Sequence, residues 1–186
     1  MKKIFSACTI AAAFVAAPAF AQGYIGLGFG SSSTNGINAG GLNGGNTNKG
    51  MVKVYGGFQF TPNWGLEAQY SDLGNRDLTN AANVRIGDYK ASQLSIAATG
   101  TLPLTSAFSL MGKLGISGNS IRGSAGLGTS NATSALIGVG VSYSFTPALS
   151  ARLEYEDFGK LGNYNNVAGT GSVKGNAYSI SLKYAF

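Results

Sequence analysis

The chain has 186 residues, of which 44% are hydrophobic and only 11% charged, against roughly 25% charged in an ordinary soluble domain. That length suits one domain and not several, and its 29 glycines lack the every-third-residue period of collagen. Histidine is absent, which excludes histidine-based triads, histidine acid/base chemistry and most zinc sites.

Residues 1–21 read as a secretory signal peptide: Lys2 and Lys3, an apolar run from Ile4 to Val15, and the small-x-small sequence Ala19-Phe20-Ala21. Pro18 interrupts the run too early for a spanning helix. Cys8, the single cysteine, leaves with this segment, so residues 22–186 form a mature domain without disulfides. That domain carries 11 basic and 7 acidic residues with no dense basic tract, a pattern that does not suit nucleic acid.

From there a two-residue period recurs eight times. Ile25, Leu27 and Phe29 share one face of the first strand. Val52, Val54, Phe58 and Phe60 oppose Lys53, Tyr55 and Gln59 in the second. Trp64, Leu66, Ala68 and Tyr70 oppose Glu67, Gln69 and Ser71 in the third. Leu94, Ile96 and Ala98 oppose Gln93, Ser95 and Thr99. Phe108, Leu110, Leu114 and Ile116 oppose Ser109, Met111 and Lys113. The sixth sets Ile137, Val139, Val141, Tyr143 and Phe145 against Gly138, Gly140 and Ser142. The seventh sets Leu149, Ala151, Leu153 and Tyr155 against Arg152, Glu154 and Glu156. The last sets Tyr178, Ile180, Leu182, Tyr184 and Phe186 against Ser179, Ser181 and Lys183.

Connections alternate too. Short ones fall at Thr61-Pro62-Asn63, around Leu102 to Ala107, and at Thr146-Pro147-Ala148. Long polar ones run from Gly30 to Gly50, Asp72 to Lys90, Gly118 to Thr133 and Gly159 to Lys174. This describes an all-β, eight-stranded antiparallel up-and-down barrel with both termini on the short-turn side. Phe60-Thr61-Pro62 and the strand after it echo in Phe145-Thr146-Pro147 and its strand, for which similar turns are a sufficient reason.

Which face points in decides between a soluble, lipocalin-like carrier and a transmembrane barrel. The polar faces are mostly small and uncharged, whereas a water-facing surface carries more charge. Large aromatic residues gather near strand ends: Phe60, Trp64, Phe108, Tyr143, Phe145, Tyr184 and Phe186 at the short-turn rim, Tyr70 and Tyr155 at the other. This matches aromatic girdles around a lipid-facing band, and strands of about ten residues suit a tilted span. The charges Lys53, Glu67, Lys113, Arg152, Glu154, Glu156 and Lys183 then point inward, where a set of +1 can pair and fill an eight-stranded lumen. Gly26-x-Gly28-x-Gly30 has no helix after it and is no nucleotide loop. Glu154 and Glu156 overlap the spacing of inverting glycosidases, but with so many cations to face them ion pairing is the better reading. No enzyme, metal or cofactor is expected.

The chain resembles the small outer-membrane barrels typified by the N-terminal domain of outer membrane protein A. The resemblance is carried by Tyr24-Ile25-Gly26-Leu27-Gly28, Asn63 through Gly74, Thr101-Leu102-Pro103-Leu104, Leu110 through Gly115, and Phe145-Thr146-Pro147 running on to Arg152-Leu153-Glu154-Tyr155-Glu156. It implies a bacterial outer-membrane location with periplasmic termini and four extracellular loops. It also implies an inner cluster at Glu67, Lys113, Arg152 and Glu154 that closes the interior, and a terminal Phe186 read as an assembly signal. The implied partners are outer-membrane lipid and lipopolysaccharide, with periplasmic chaperones and the insertion machinery during assembly. No wall-binding domain is seen after the barrel, so a structural or surface-interaction role is expected, with a narrow pore as the alternative.

Overall fold

A computed structural model describes residues 22–34, 38–39, 42–43, 48–80, 84–123, 128–166 and 169–186; residues 1–21, expected to be a signal peptide, lie outside them. Eight principal strands follow in chain order: β1 (Gln22–Thr34), β2 (Lys49–Gln59), β3 (Trp64–Asn80), β4 (Arg85–Pro103), β5 (Phe108–Gly123), β6 (Gly128–Ser144), β7 (Leu149–Asn166) and β8 (Gly169–Ala185). Each pairs antiparallel with the next. β8 returns to β1 from Tyr24↔Ala185 to Thr34↔Gly175, so the sheet closes. A two-residue pair, Asn38–Ala39 and Leu42–Asn43, adds to the far end of β3.

The side chains divide by the period of two. The expected apolar faces lie outside, where Leu114 is 65% exposed, and the charged faces lie inside, where Glu156 and Lys53 are 0% exposed. That is the reverse of a soluble carrier, whose apolar residues would fill the interior.

Two expectations need correction. The strands run from 11 to 19 residues, not about ten, and much of what read as long loop is ladder. Alternation is written only where one face meets lipid. Beyond the apolar band both faces are polar or small, so the periodic signal fades while backbone pairing continues.

The three short turns share one construction. Thr61, Thr105 and Thr146 each place Oγ1 where two following backbone N–H groups donate to it, for instance from Trp64 at 3.0 Å, Phe108 at 2.9 Å and Leu149 at 2.9 Å. A hydroxyl in this position stands in for a backbone acceptor.

At the opposite end β3 and β7 carry matching bulges. Asp72-Leu73-Gly74 and Asp157-Phe158-Gly159 both place glycine at positive φ, +85° and +60°, and both aspartates accept the glycine N–H, at 3.0 and 2.7 Å. The β2–β3 ladder stops at Asp72 and the β6–β7 ladder at Asp157. Beyond these points each bulged strand leans inward over its neighbour. Ser32 Oγ of β1 donates to the Leu73 carbonyl at 2.6 Å, and Ser117 Oγ of β5 donates to the Phe158 carbonyl at 3.2 Å. Leu73 and Phe158, both fully buried, join Met51, Tyr89, Ile121, Leu136, Leu161 and Val173 in an apolar layer inside the loop end of the barrel.

A non-glycine residue in left-handed backbone costs roughly 1–2 kcal/mol. Gly159→Ala should lower stability by at least that amount, since its Cβ would also lie 3.0 Å from Ser134 Cβ. Gly74→Ala should lower it further, because its Cβ would lie closer still to a neighbour, 2.7 Å from the Gly50 carbonyl oxygen. Gly112→Ala, with nothing within 4 Å of the new carbon, should not lower it. Urea unfolding in lipid vesicles, followed by the fluorescence of the single tryptophan, ranks the three.

Candidate functional site

The inward positions of β2, β3, β5 and β7 bring six of the seven predicted interior charges into one cluster. Lys53 Nζ lies 2.6 Å from Glu154 Oε2 and 3.0 Å from Glu156 Oε2. Lys113 Nζ lies 2.6 Å from Glu67 Oε1, 2.6 Å from Glu154 Oε1 and 3.2 Å from Glu156 Oε1. Arg152 Nη1 meets Glu67 Oε2 at 2.7 Å. Three cations therefore face three carboxylates at zero net charge, all of them buried.

Polar and aromatic neighbours complete the packing. Gln69 accepts from Lys113 Nζ at 3.3 Å and donates to Glu156 at 3.4 Å. The Tyr24 hydroxyl donates to Glu67 at 3.1 Å, and the Arg152 guanidinium stacks 5.1 Å from the Tyr24 ring and 5.0 Å from the Tyr55 ring. The two lysines need room on the adjacent strand. Gly28 stands in register with Lys53 and Gly138 with Lys113; added Cβ atoms there would come within 3.0 Å of Lys53 Cγ and 3.3 Å of Lys113 Cβ. Gly26 likewise lies under the Tyr55 ring. The Gly-x-Gly spacing of β1 is thus a record of interior crowding.

Lys183 does not join the cluster. Its half-buried side chain points inward nearer the short turns, with the ammonium 5.1 Å from the Tyr24 ring centre. The outward aromatics Phe60, Trp64, Phe108, Tyr143, Phe145, Tyr184 and Phe186 are exposed at the short-turn end. Tyr143 packs edge-to-face with Phe108 and Phe145, each at 5.1 Å. Toward the loop end Tyr70 is exposed, and Tyr155 packs on Tyr178 at 4.7 Å.

Sequence reading missed the luminal role of Tyr24, the apolar layer and Arg76. Arg76 fell inside a presumed loop but is fully buried. It donates to the Leu73 carbonyl at 2.8 Å and to Ser32 O and Oγ at 3.1 and 2.6 Å, tying the β3 bulge to β1. The available signal was the repeated Tyr-x-Asp-(Leu/Phe)-Gly at Tyr70–Gly74 and Tyr155–Gly159.

Chemically, Glu154 and Glu156 are held by Lys53 and Lys113 and are not set up for acid/base work. Among the described residues no group of histidine, cysteine or acidic side chains is placed to hold a metal. These features define a class: single-chain transmembrane barrels whose lumen is filled by side chains.

The profile of the outer membrane protein beta-barrel domain matches residues 5–186, and the chain belongs to that family. Outer membrane protein A of Escherichia fergusonii is 27% identical over 141 residues, which is 72% of this chain and 39% of that protein, so the chain spans about two-fifths of that relative's length. Among solved structures, Neisserial surface protein A is similar at a TM-score of 0.63 and 17% identity, covering 88% of this chain and 97% of its own. Ail of Yersinia pestis, solved in complex with the heparin analogue sucrose octasulfate, gives 0.59 and 17% over 89% and 99%. OprG of Pseudomonas aeruginosa gives 0.59 and 13% over 89% and 96%. At these identities the structures share the fold. The barrel is an integral outer-membrane protein with periplasmic termini and four extracellular loops, and its surroundings are outer-membrane lipid.

Truncating one member of a buried ion pair strands the other, at about 3–5 kcal/mol. Arg152→Ala should destabilise the barrel by that order, and the double change Arg152→Met with Glu67→Gln should recover much of the loss. Urea midpoints of the refolded variants in vesicles measure both.

Proposed function

We infer that this protein is a non-conducting structural barrel of the outer membrane that meets its surroundings through its extracellular end. The carrying observation is the neutral network of Lys53, Lys113 and Arg152 against Glu67, Glu154 and Glu156 lying beneath the buried apolar layer of Leu73, Phe158 and their neighbours. An eight-stranded lumen has room for side chains and little else. An ion crossing it would have to leave water and separate tightly paired charges.

The distribution of the other charges supports a surface role. The three short turns contain no charged residue, and among the described residues the charges outside the lumen, such as Asp72, Lys90, Arg122, Asp157 and Lys174, belong to the extracellular half. Residues 1–21 serve as the export leader. Phe186, with its N–H donating to the Gly23 carbonyl at 2.9 Å, provides the aromatic terminus that the insertion machinery reads once periplasmic chaperones have delivered the chain. Lys53, Glu67, Lys113, Arg152, Glu154 and Glu156 are assigned to lumen closure, and the exposed terminal aromatics to anchoring at the two lipid–water boundaries.

Purified, refolded protein in a planar bilayer should pass no stable current. Discrete, lasting conductance steps would replace this reading with a narrow pore.

A further inference from the structure

The outer surface changes character between β5 and β6, just beyond the apolar band. Ile116 and Ile137 are the last large apolar side chains exposed on those strands toward the extracellular side. Past them the outward positions are Gly118 and Ser120 on β5, in register with Thr133 and Asn131 on β6. Together with Asn119 and Ala132 they line an open depression of about 310 Å³. Gly118 opens its floor: a Cβ there would approach only the Leu94 carbonyl oxygen, at 3.8 Å. The side chains of Ser120, Asn131 and Thr133 line the hollow and make no hydrogen bond to another described residue.

Its upper lip is cationic. Arg122, the next outward residue after Ser120, is exposed, and its Cα lies about 6.6–7 Å further along the strand, within reach of a guanidinium. Lys90 on β4 stands directly opposite Arg122. Like charges in directly opposed positions are unfavourable. The carboxylate at hand, Asp72, is bound to Lys90 at 2.7 Å, and Arg122 has no carboxylate partner among the described residues. The hollow begins at the apolar edge and Arg122 lies about 15 Å beyond Ile116 along a tilted strand, so the pair spans the headgroup zone of the outer leaflet.

We propose that this hollow binds the phosphorylated sugar headgroup of an outer-leaflet glycolipid. The sugar ring rests on Gly118, its hydroxyls meet Ser120, Asn131 and Thr133, and a phosphate meets Arg122 with Lys90 behind it. A guanidinium suits phosphate oxygens through paired N–H donors. The open side of the hollow faces the bilayer, which favours a membrane-borne headgroup over a free anion. The site stands on the outer-membrane orientation and is independent of whether the lumen conducts.

The test uses the full folded barrel in detergent micelles, titrated with intact or dephosphorylated lipopolysaccharide, with bound copies counted by native mass spectrometry. Folding of each variant is checked by its slower gel migration after boiling. One saturable copy of intact lipopolysaccharide is expected. Loss of one charge-assisted contact corresponds to about tenfold or more in affinity, so Arg122→Gln should weaken binding by at least that factor. Gly118→Leu, which fills the hollow, should do the same in a folded protein. Lys174→Gln, an equal charge change at an exposed position on β8, should bind like the wild type. Dephosphorylated lipopolysaccharide should bind the wild type as weakly as intact lipopolysaccharide binds Arg122→Gln. Equal losses for Lys174→Gln and Arg122→Gln would reduce the effect to diffuse basicity and overturn the site. So would wild-type binding by Gly118→Leu, or displacement of the lipid by inorganic phosphate.

Discussion

A strand that crosses lipid has nowhere to place an unpaired N–H or C=O, because the hydrocarbon offers no hydrogen-bond partner. Every other feature of this molecule follows from that. The sheet must close, so β8 pairs with β1 over eleven register positions and leaves no open edge in the band. Closure with eight strands leaves a narrow interior, which crowds the lumen and selects small residues beside large ones: glycine opposite Lys53, Tyr55 and Lys113, and serine on both sides of Arg152. The same closure fixes the two faces. Apolar side chains are driven outward to the lipid, and any charge needed for register or filling is driven inward, where it must be compensated.

Compensation is met here by sharing. Each lysine of the cluster touches more than one carboxylate, and Glu67 is held by both Lys113 and Arg152. Buried pairs of this kind add little net stability compared with apolar packing. Their value lies in what they exclude: a strand slipped by one residue would turn Lys53, Glu67 or Arg152 toward lipid, at roughly 2–4 kcal/mol for each basic group near the midplane. A slip in register is thus opposed by the inner charges as well as by the lipid-facing band. The apolar layer above the network, drawn inward by the two bulges, covers the cluster from the extracellular side.

These constraints also explain what could be read from the residues alone. Where one face meets acyl chains, physics forces alternation, and in that band the strand order, the faces and the inward set of charges were all legible. Partners were not. Lys113 meets residues 43 and 46 positions away on two different strands, and nothing local encodes such a distance. Arg76 was lost for a related reason: it lies beyond the band, on a strand continuing through Gly74-Asn75-Arg76, where side chains no longer alternate between lipid and lumen. Lys183 shows the opposite error of grouping. It shares the inward face with the cluster, but its height along the barrel places it against Tyr24, and facing alone carries no information about height.

The molecule also repeats itself at an offset of 85 positions, the separation of Glu67 and Arg152. Thr61 and Thr146 build the same turn, and Asp72-Leu73-Gly74 and Asp157-Phe158-Gly159 build the same bulge. Ser32 and Ser117 brace those bulges, each from 41 residues upstream. The halves stay alike where the requirement is local backbone geometry, which both can satisfy independently. They differ where they meet across the lumen. Lys53 of the first half corresponds to Gly138 of the second, Gly28 to Lys113, and Glu67 to Arg152. Two identical halves would bring lysine against lysine and glutamate against glutamate in a dry interior. Exchanging lysine with glycine leaves space for each long side chain, and exchanging glutamate with arginine turns a repulsion into a 2.7 Å ion pair. Departure from the repeat at these inner positions is what allows the repeated frame to close.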